Sequence, residues 1–218
     1  NAPEAAALGA EACRQTLGLG FRLGLSAEDE SKAFSEGKRW TARSGDVKAD
    51  GLLETAYSIL VCTSGKIEEG VRHGIESQRL LRETSDEELR ALAPWSATYP
   101  HVVAGRLIRA REMLESLLDA TRGHPQWGFD MWNLSAWSWS HFMRGVVESY
   151  VGSVGTAKAW MERGVELARQ HGDAESEGWA LGWLSEVAAI AGDAEIGVGP
   201  CRRSLEIAEK MGSPYSRA

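Results

Sequence analysis

The side chains able to do chemistry are present in this chain, but their spacing assembles no reaction centre. The five histidines, His73, His101, His124, His141 and His171, include no pair at the i, i+4 spacing that sets two imidazoles on one helical face for a metal. The three cysteines, Cys13, Cys62 and Cys201, are odd in number, far apart and lack CxxC spacing, so they read as buried, reduced thiols. No serine or cysteine nucleophile stands beside a legible base. The run from Gly18 through Gly20 to Gly24 has one residue too many for a dinucleotide loop and no strand before it. Ser64-Gly65-Lys66 lacks the rest of a phosphate-binding loop, and Asn133-Leu134-Ser135 is a glycosylation pattern without meaning in a cytoplasmic protein. The expectation is a chain that is not itself an enzyme and needs neither metal nor cofactor.

Tryptophan is the unusual residue. There are nine, and seven stand at positions 127, 132, 137, 139, 160, 179 and 183. Two physical readings are open. Large aromatics can fill wide gaps between stacked helices, or they can line a groove and offer flat apolar anchors to a peptide or aromatic ligand. Trp139 and Trp179 each lie thirteen residues before a glycine, and Trp132 and Trp139 are seven apart, one face of a continuous helix. His141, Arg144 and Glu148 form a polar stripe at i, i+3 and i+7. The groove reading makes Trp132, Trp139, His141, Arg144, Trp179 and Trp183 a binding surface, with indoles of successive repeats about 10 Å apart.

The elements that would position these side chains follow from a repeat. Glycines 24, 65, 105, 152 and 192 are spaced 41, 40, 47 and 40; Gly45, Ser85, Gly123, Gly172 and Gly212 interleave with them at 40, 38, 49 and 40. A glycine after a helix supplies the left-handed stop at least steric cost. Five residues before each mark of the second series stand Trp40, Leu80, Leu118, Leu167 and Ile207, all apolar; eight before stand Gly37, Ser77, Glu115, Gly164 and Ser204, four of them small. Asp46, Asp86, Asp173 and Ser213 follow the marks as helix caps. The spacing predicts first helices near 4–23, 48–63, 87–104, 127–151 and 174–190, and second helices near 27–43, 66–83, 106–121, 155–170 and 194–211. Pro94 and Pro100 should kink the third first-helix, and Gly197, Gly199 and Pro200 should weaken the start of the last. The fold class is all-α: a right-handed solenoid of about five antiparallel helix pairs, without sheet.

These features resemble the tetratricopeptide repeat (TPR) superfamily: a glycine closes each first helix, and small residues (Gly70, Ala110, Ala157, Gly197) sit five later in the second. The segments 164–173, 178–193 and 202–218 look like the C-terminal helical-repeat region of bacterial adenylate/guanylate cyclase proteins that also carry an ATPase domain. The resemblance implies a regulatory repeat module on a signalling protein. It transfers no catalytic residue, because the cyclase and ATPase motifs are absent from this chain. Arg144 and Glu148 depart from it, standing where apolar packing residues are usual.

Composition bounds the partners. With 31 acidic and 24 basic side chains the formal charge is −7, which disfavours nucleic acid and anionic membrane surfaces, both of which need a basic face. No apolar run reaches the roughly 18 residues of a spanning helix. Asn1-Ala2 reads as a tag remnant, 3–218 as one TPR-like solenoid, and Ser213–Ala218 as the start of a further helix, so the chain reads as a piece of a longer cytoplasmic protein. The expected function is binding of a protein segment or small effector. The alternatives are a structural spacer or oligomerisation arm and, more remotely, an enzyme with its active site in the groove.

Overall fold

The computed structural model describes residues 2–212, and these are all helix and connection, with no strand among the described residues. Twelve helices follow in chain order: α1 (Ala2–Leu23), α2 (Ala27–Ser44), α3 (Val47–Thr63), α4 (Ile67–Glu83), α5 (Glu87–Leu92), α6 (Trp95–Val103), α7 (Leu107–Thr121), α8 (Phe129–Trp132), α9 (Ala136–Tyr150), α10 (Val154–His171), α11 (Ala174–Ile190) and α12 (Ala194–Met211). They pack as two compact units, one up to Arg106 and one from Leu107. The expected start of a further helix at Ser213, with its cap, lies outside the described residues.

The glycine marks stop the helices as their chemistry requires. Gly24, Gly65, Gly105, Gly152 and Gly192 have φ between 69° and 87°, and Gly45, Gly123, Gly172 and Gly212 between 66° and 84°. Ser85 holds the one mark without glycine, and there α4 ends instead on an extended Thr84 (φ −70°, ψ 156°). The side chains of Asp46, Asp86 and Asp173 accept from the backbone N–H groups of Ala49, Leu89 and Ser176, so each caps the helix it precedes. Asp173 does more: its second oxygen accepts the N–H of Ser135, 2.8 Å away, joining the starts of α9 and α11.

In the first unit, Leu17, Leu53, Val61, Val71 and Leu92 are fully buried. The small residues permit the close approaches: a Cβ at Gly37 would stand 2.7 Å from Leu53, and one at Gly70 would overlap the Cys62 sulfur. In the second unit Leu114, Leu117, Val146, Val147, Met161 and Val187 form the interior. A Cβ at Gly164 would lie 2.9 Å from the Phe142 backbone nitrogen, so α10 touches α9 backbone to backbone. Both units join their hairpins with the same pair of hydrogen bonds. Ser58 donates to the Gly70 carbonyl as Ser185 does to that of Gly197, and Ser77 donates to Gly51 as Ser204 does to Gly178.

Several expectations need correction. The third first-helix is split: α5 stops at Leu92, and Pro94 starts α6, where its missing N–H costs nothing. The fourth is shorter than 127–151, because Asn133 adopts the left-handed conformation (φ 58°) and separates α8 from α9. The last second-helix is not weakened at its start; α12 runs from Ala194 with Pro200 inside it. Trp40 is half-buried, its ring against Gly9 and under the Arg43 guanidinium, while Leu80, Leu118, Leu167 and Ile207 are buried as expected. Cys13 and Cys62 are buried and burial pushes the Cys62 thiol up to about 11, but Cys201 is exposed. Among the described residues no helix is long and apolar enough to cross a membrane.

Candidate functional site

Of the six side chains expected to share one surface, the three on α9 fall on opposite sides of it. Residues 139 and 141 are two positions apart, about 200° around a helix axis. On one side, His141 donates through Nδ1 to the Trp137 carbonyl (2.8 Å) and packs against the Trp137 and Trp160 rings at 4.3 and 5.4 Å. A carbonyl only accepts, which fixes the Nδ1–H tautomer. Burial holds the His141 imidazole below its ordinary pKa, against the pull of that bond and aided by the charge of Arg163. On the same side Arg144 donates to Glu148 and Glu115, both at 2.8 Å, and its guanidinium lies 5.7 Å from the Trp160 ring centre. Arg111 of α7 closes the network at 2.9 Å from the buried Glu148 carboxylate. The polar stripe is therefore a half-buried ion network joining α7 and α9, with the Trp160 ring of α10 beside it, and Arg144 directs its Nε and one terminal nitrogen to carboxylates of its own chain.

Trp139 and Trp179 lie on the other side. Trp139 is buried, 5% exposed. Its ring meets Phe142 edge-on at 6.1 Å, and Phe142 meets Trp179 of α11 at 6.3 Å. The space expected between two clasping indoles is thus filled by Phe142, and Trp139 belongs to the core. Trp132 sits in α8, beyond the left-handed Asn133, so it does not continue the face of α9.

Trp132 stays half-buried in α8, and Trp179 and Trp183 belong to a stripe on α11. Trp179, Trp183, Glu186 and Ile190 recur at i, i+4, i+7 and i+11, one helical face. Trp179 and Trp183 are half-buried and Ile190 is 58% exposed. Tyr150, at the end of α9, completes the surface: 55% exposed, its ring is 5.8 Å from that of Trp183 and perpendicular to it. Burial, and then the nearby Glu186 charge, raise the Tyr150 hydroxyl above its ordinary pKa, so it stays a donor. Sequence reasoning missed Tyr150, Glu186 and Ile190. The signal was available, since Tyr150 and Ile190 both stand two residues before a closing glycine. The surface offers flat apolar area, one hydroxyl and one carboxylate, a set suited to holding a side chain rather than to moving a proton.

The first unit carries a related cluster. Lys38 of α2 donates to Asp50 (2.6 Å) and to the buried Glu54 (2.8 Å) of α3, and His73 of α4 donates through Nδ1 to the same Glu54 at 2.6 Å. Burial pulls the Lys38 ammonium down, but its bonds to Asp50 and Glu54 outweigh this and leave it raised. Phe34 and Tyr57 stack at 3.9 Å with the His73 ring edge-on to both. Burial, with the charge of Glu69, pushes the Tyr57 hydroxyl up to about 12. Each of these carboxylates has a hydrogen-bond donor inside the cluster: Lys38 for Asp50 and Glu54, and the Tyr57 hydroxyl for Glu69.

No protein-family profile and no curated protein matches the chain. Solved structures do. The apo form of RapI superposes with a TM-score of 0.66 at 12% identity, covering 93% of this chain and 71% of that one. BtubC (BKLC) from P. vanneervenii gives 0.64 at 15% identity over 96% and 91%. A Podosopora anserina protein with nearly identical TPR-like repeats gives 0.61 at 14% identity over 97% and 98%. At these identities the likeness establishes the fold: all-α, built of TPR-like helix pairs.

Proposed function

We propose that this chain is a non-catalytic interaction module whose second unit binds a protein segment through the face of Trp179, Trp183, Ile190 and Tyr150. The observation that carries this reading is the exposure of two large apolar side chains, Tyr150 and Ile190, beside two half-buried indoles on one face. An exposed apolar patch rimmed by polar groups marks interaction surfaces more often than chance exposure does. Aromatic anchors carry a large share of binding energy where they can be desolvated. The repeat register, and the likeness of the segments 164–173, 178–193 and 202–218 to helical-repeat tails of bacterial cyclase–ATPase proteins, support a cytoplasmic signalling protein as its setting. A small effector is the other ligand class the same face suits.

The test is capture by the immobilised chain, with wild type compared to the Trp183→Ala/Tyr150→Ala double variant. A partner retained by wild type and lost by the variant, at unchanged thermal melting, is the expected result. Equal retention by both removes the face from consideration. One observation favours the oligomerisation arm as a second reading: Leu8, Leu19 and Leu23 are 72%, 50% and 64% exposed along α1. Sedimentation equilibrium of the chain and of Leu8→Ser/Leu19→Ser decides it, by whether self-association occurs and is lost.

A further inference from the structure

Counted from the glycine that closes each first helix, three helices present the same pair of positions to the preceding second helix. In α3 they are Glu54 and Tyr57, in α9 His141 and Arg144, and in α11 Leu181 and Leu184. In the first two cases a ring from the following helix covers the pair. His73 stands eight residues after Gly65; its Nδ1 is 2.6 Å from Glu54 and its ring 4.8 Å from that of Tyr57. Trp160 stands eight after Gly152, 5.4 Å from the His141 ring and 5.7 Å from the Arg144 guanidinium. The equivalent position in α12, eight after Gly192, is Pro200, which carries no such ring. Beside the Leu181–Leu184 pair the structure has an open groove of about 430 Å³ between α10 and α11, walled by Val165, Leu181 and Leu184 and edged by Glu162, Glu166 and Arg169.

The edge selects a charge. Arg169 is already held by Glu177 at 2.7 Å. Glu162 and Glu166 are each 57% exposed; Glu162 meets Lys158, and Glu166 meets Arg163 and accepts from Gln170 at 3.3 Å, surface contacts that solvent screens. In the filled clusters a cation lies beside the ring: Lys38 against Asp50 and Glu54, Arg144 against Glu115 and Glu148. Where the filled clusters carry polar pairs under a ring, the groove has an apolar floor of Leu181 and Leu184, two exposed carboxylates at its edge, one arginine already engaged by Glu177, and no covering ring.

We propose that the α10–α11 groove receives from a protein partner an aromatic side chain flanked by a lysine or arginine, the ring over Leu181 and Leu184 and the cation against Glu162 and Glu166. The groove lies on the face of α11 opposite Trp179 and Trp183, so this site is separate from the one proposed above and stands without it.

The probes are capped tripeptides, Lys-Trp-Lys, Glu-Trp-Glu and Lys-Ala-Lys, titrated into the 15N-labelled 218-residue chain. Lys-Trp-Lys is expected to shift the Val165, Leu181 and Leu184 amides saturably and to bind about tenfold or more tightly than either control, the difference that one ring or one pair of contacts makes. Pro200→Trp, which supplies the ring from within, is expected to abolish those shifts. The exposed double substitution Glu162→Gln/Glu166→Gln, which leaves the interior untouched, is expected to weaken Lys-Trp-Lys about tenfold. Three outcomes overturn the proposal: no saturable shift with any probe, equal binding of all three, or undiminished binding by the Glu→Gln variant. Shifts confined to Tyr150, Trp183 and Ile190 overturn it too, while supporting the other face.

Discussion

His141 shows how one buried side chain writes a pH dependence into the second unit. Its Nδ1–H is held by the Trp137 carbonyl and its ring packs against two indoles, where burial disfavours the charged form. The folded-state pKa is below the ordinary value, mainly through burial. Unfolding releases the imidazole to an unperturbed pKa of about 6.5. Protons then bind the unfolded chain more readily, and stability falls with acidity. The contribution is whole above about pH 6.5, is lost as the pH drops through the depressed folded value, and loses nothing further below it. Urea denaturation at steps from pH 7.5 to 5 is expected to show a steeper loss for wild type than for His141→Gln. Carboxylates of the chain also titrate towards the acid end, so the comparison is between the two slopes; parallel slopes would show that His141 accepts its proton equally well in the fold.

At the scale of the helix, the second unit depends on a backbone approach that leaves no room for a methyl group. A Cβ at Gly164 would come within 2.9 Å of the Phe142 nitrogen and 3.0 Å of its Cβ. Neither atom is the free end of a flexible side chain, so α10 itself must move away from α9. Gly164→Ala is expected to destabilise by about 1–3 kcal/mol, the usual cost of overpacking, although alanine favours a helix interior over glycine by up to about 1 kcal/mol. A melting temperature equal to or above that of wild type would refute the close approach. This contact was legible in the sequence, because Gly37, Ser77, Gly164 and Ser204 recur in register. The site was less so. Trp132 was counted on the face of α9, but a left-handed Asn133 intervenes, and asparagine in a helical pattern does not announce that conformation. The division between Trp139 and His141 was legible, since two residues along a helix cannot share a side. The ion partners of Arg144 on α7 were not, because they depend on which helix packs beside which.

Among the described residues, the helix limits were readable because nine glycines in the left-handed conformation follow helices, and glycine is the residue that adopts it at least cost. Where another device ends a helix, as Pro94 or Asn133 does, the sequence reading ran on. The formal charge of −7 acts on solubility and on the choice of partner rather than on the fold. Stability must come from burial repeated along the chain, with each unit supplying its own interior. Leu53 is wholly buried in the first unit and Leu167 is 3% exposed in the second. Each should cost about 2–5 kcal/mol when truncated to alanine, through lost transfer energy and the cavity left behind. The two leucines lie in different units, each within its own interior. Their effects should add, so that Leu53→Ala/Leu167→Ala loses the sum of the single losses to within about 0.5 kcal/mol. Urea unfolding of the two single variants and the double, summed over whatever transitions appear, measures this. A coupling above about 1 kcal/mol would mean that the interiors form one energetic unit. A loss below about 0.5 kcal/mol for Leu167→Ala alone, the range of an ordinary surface substitution, would mean that the register placing it in the core is wrong.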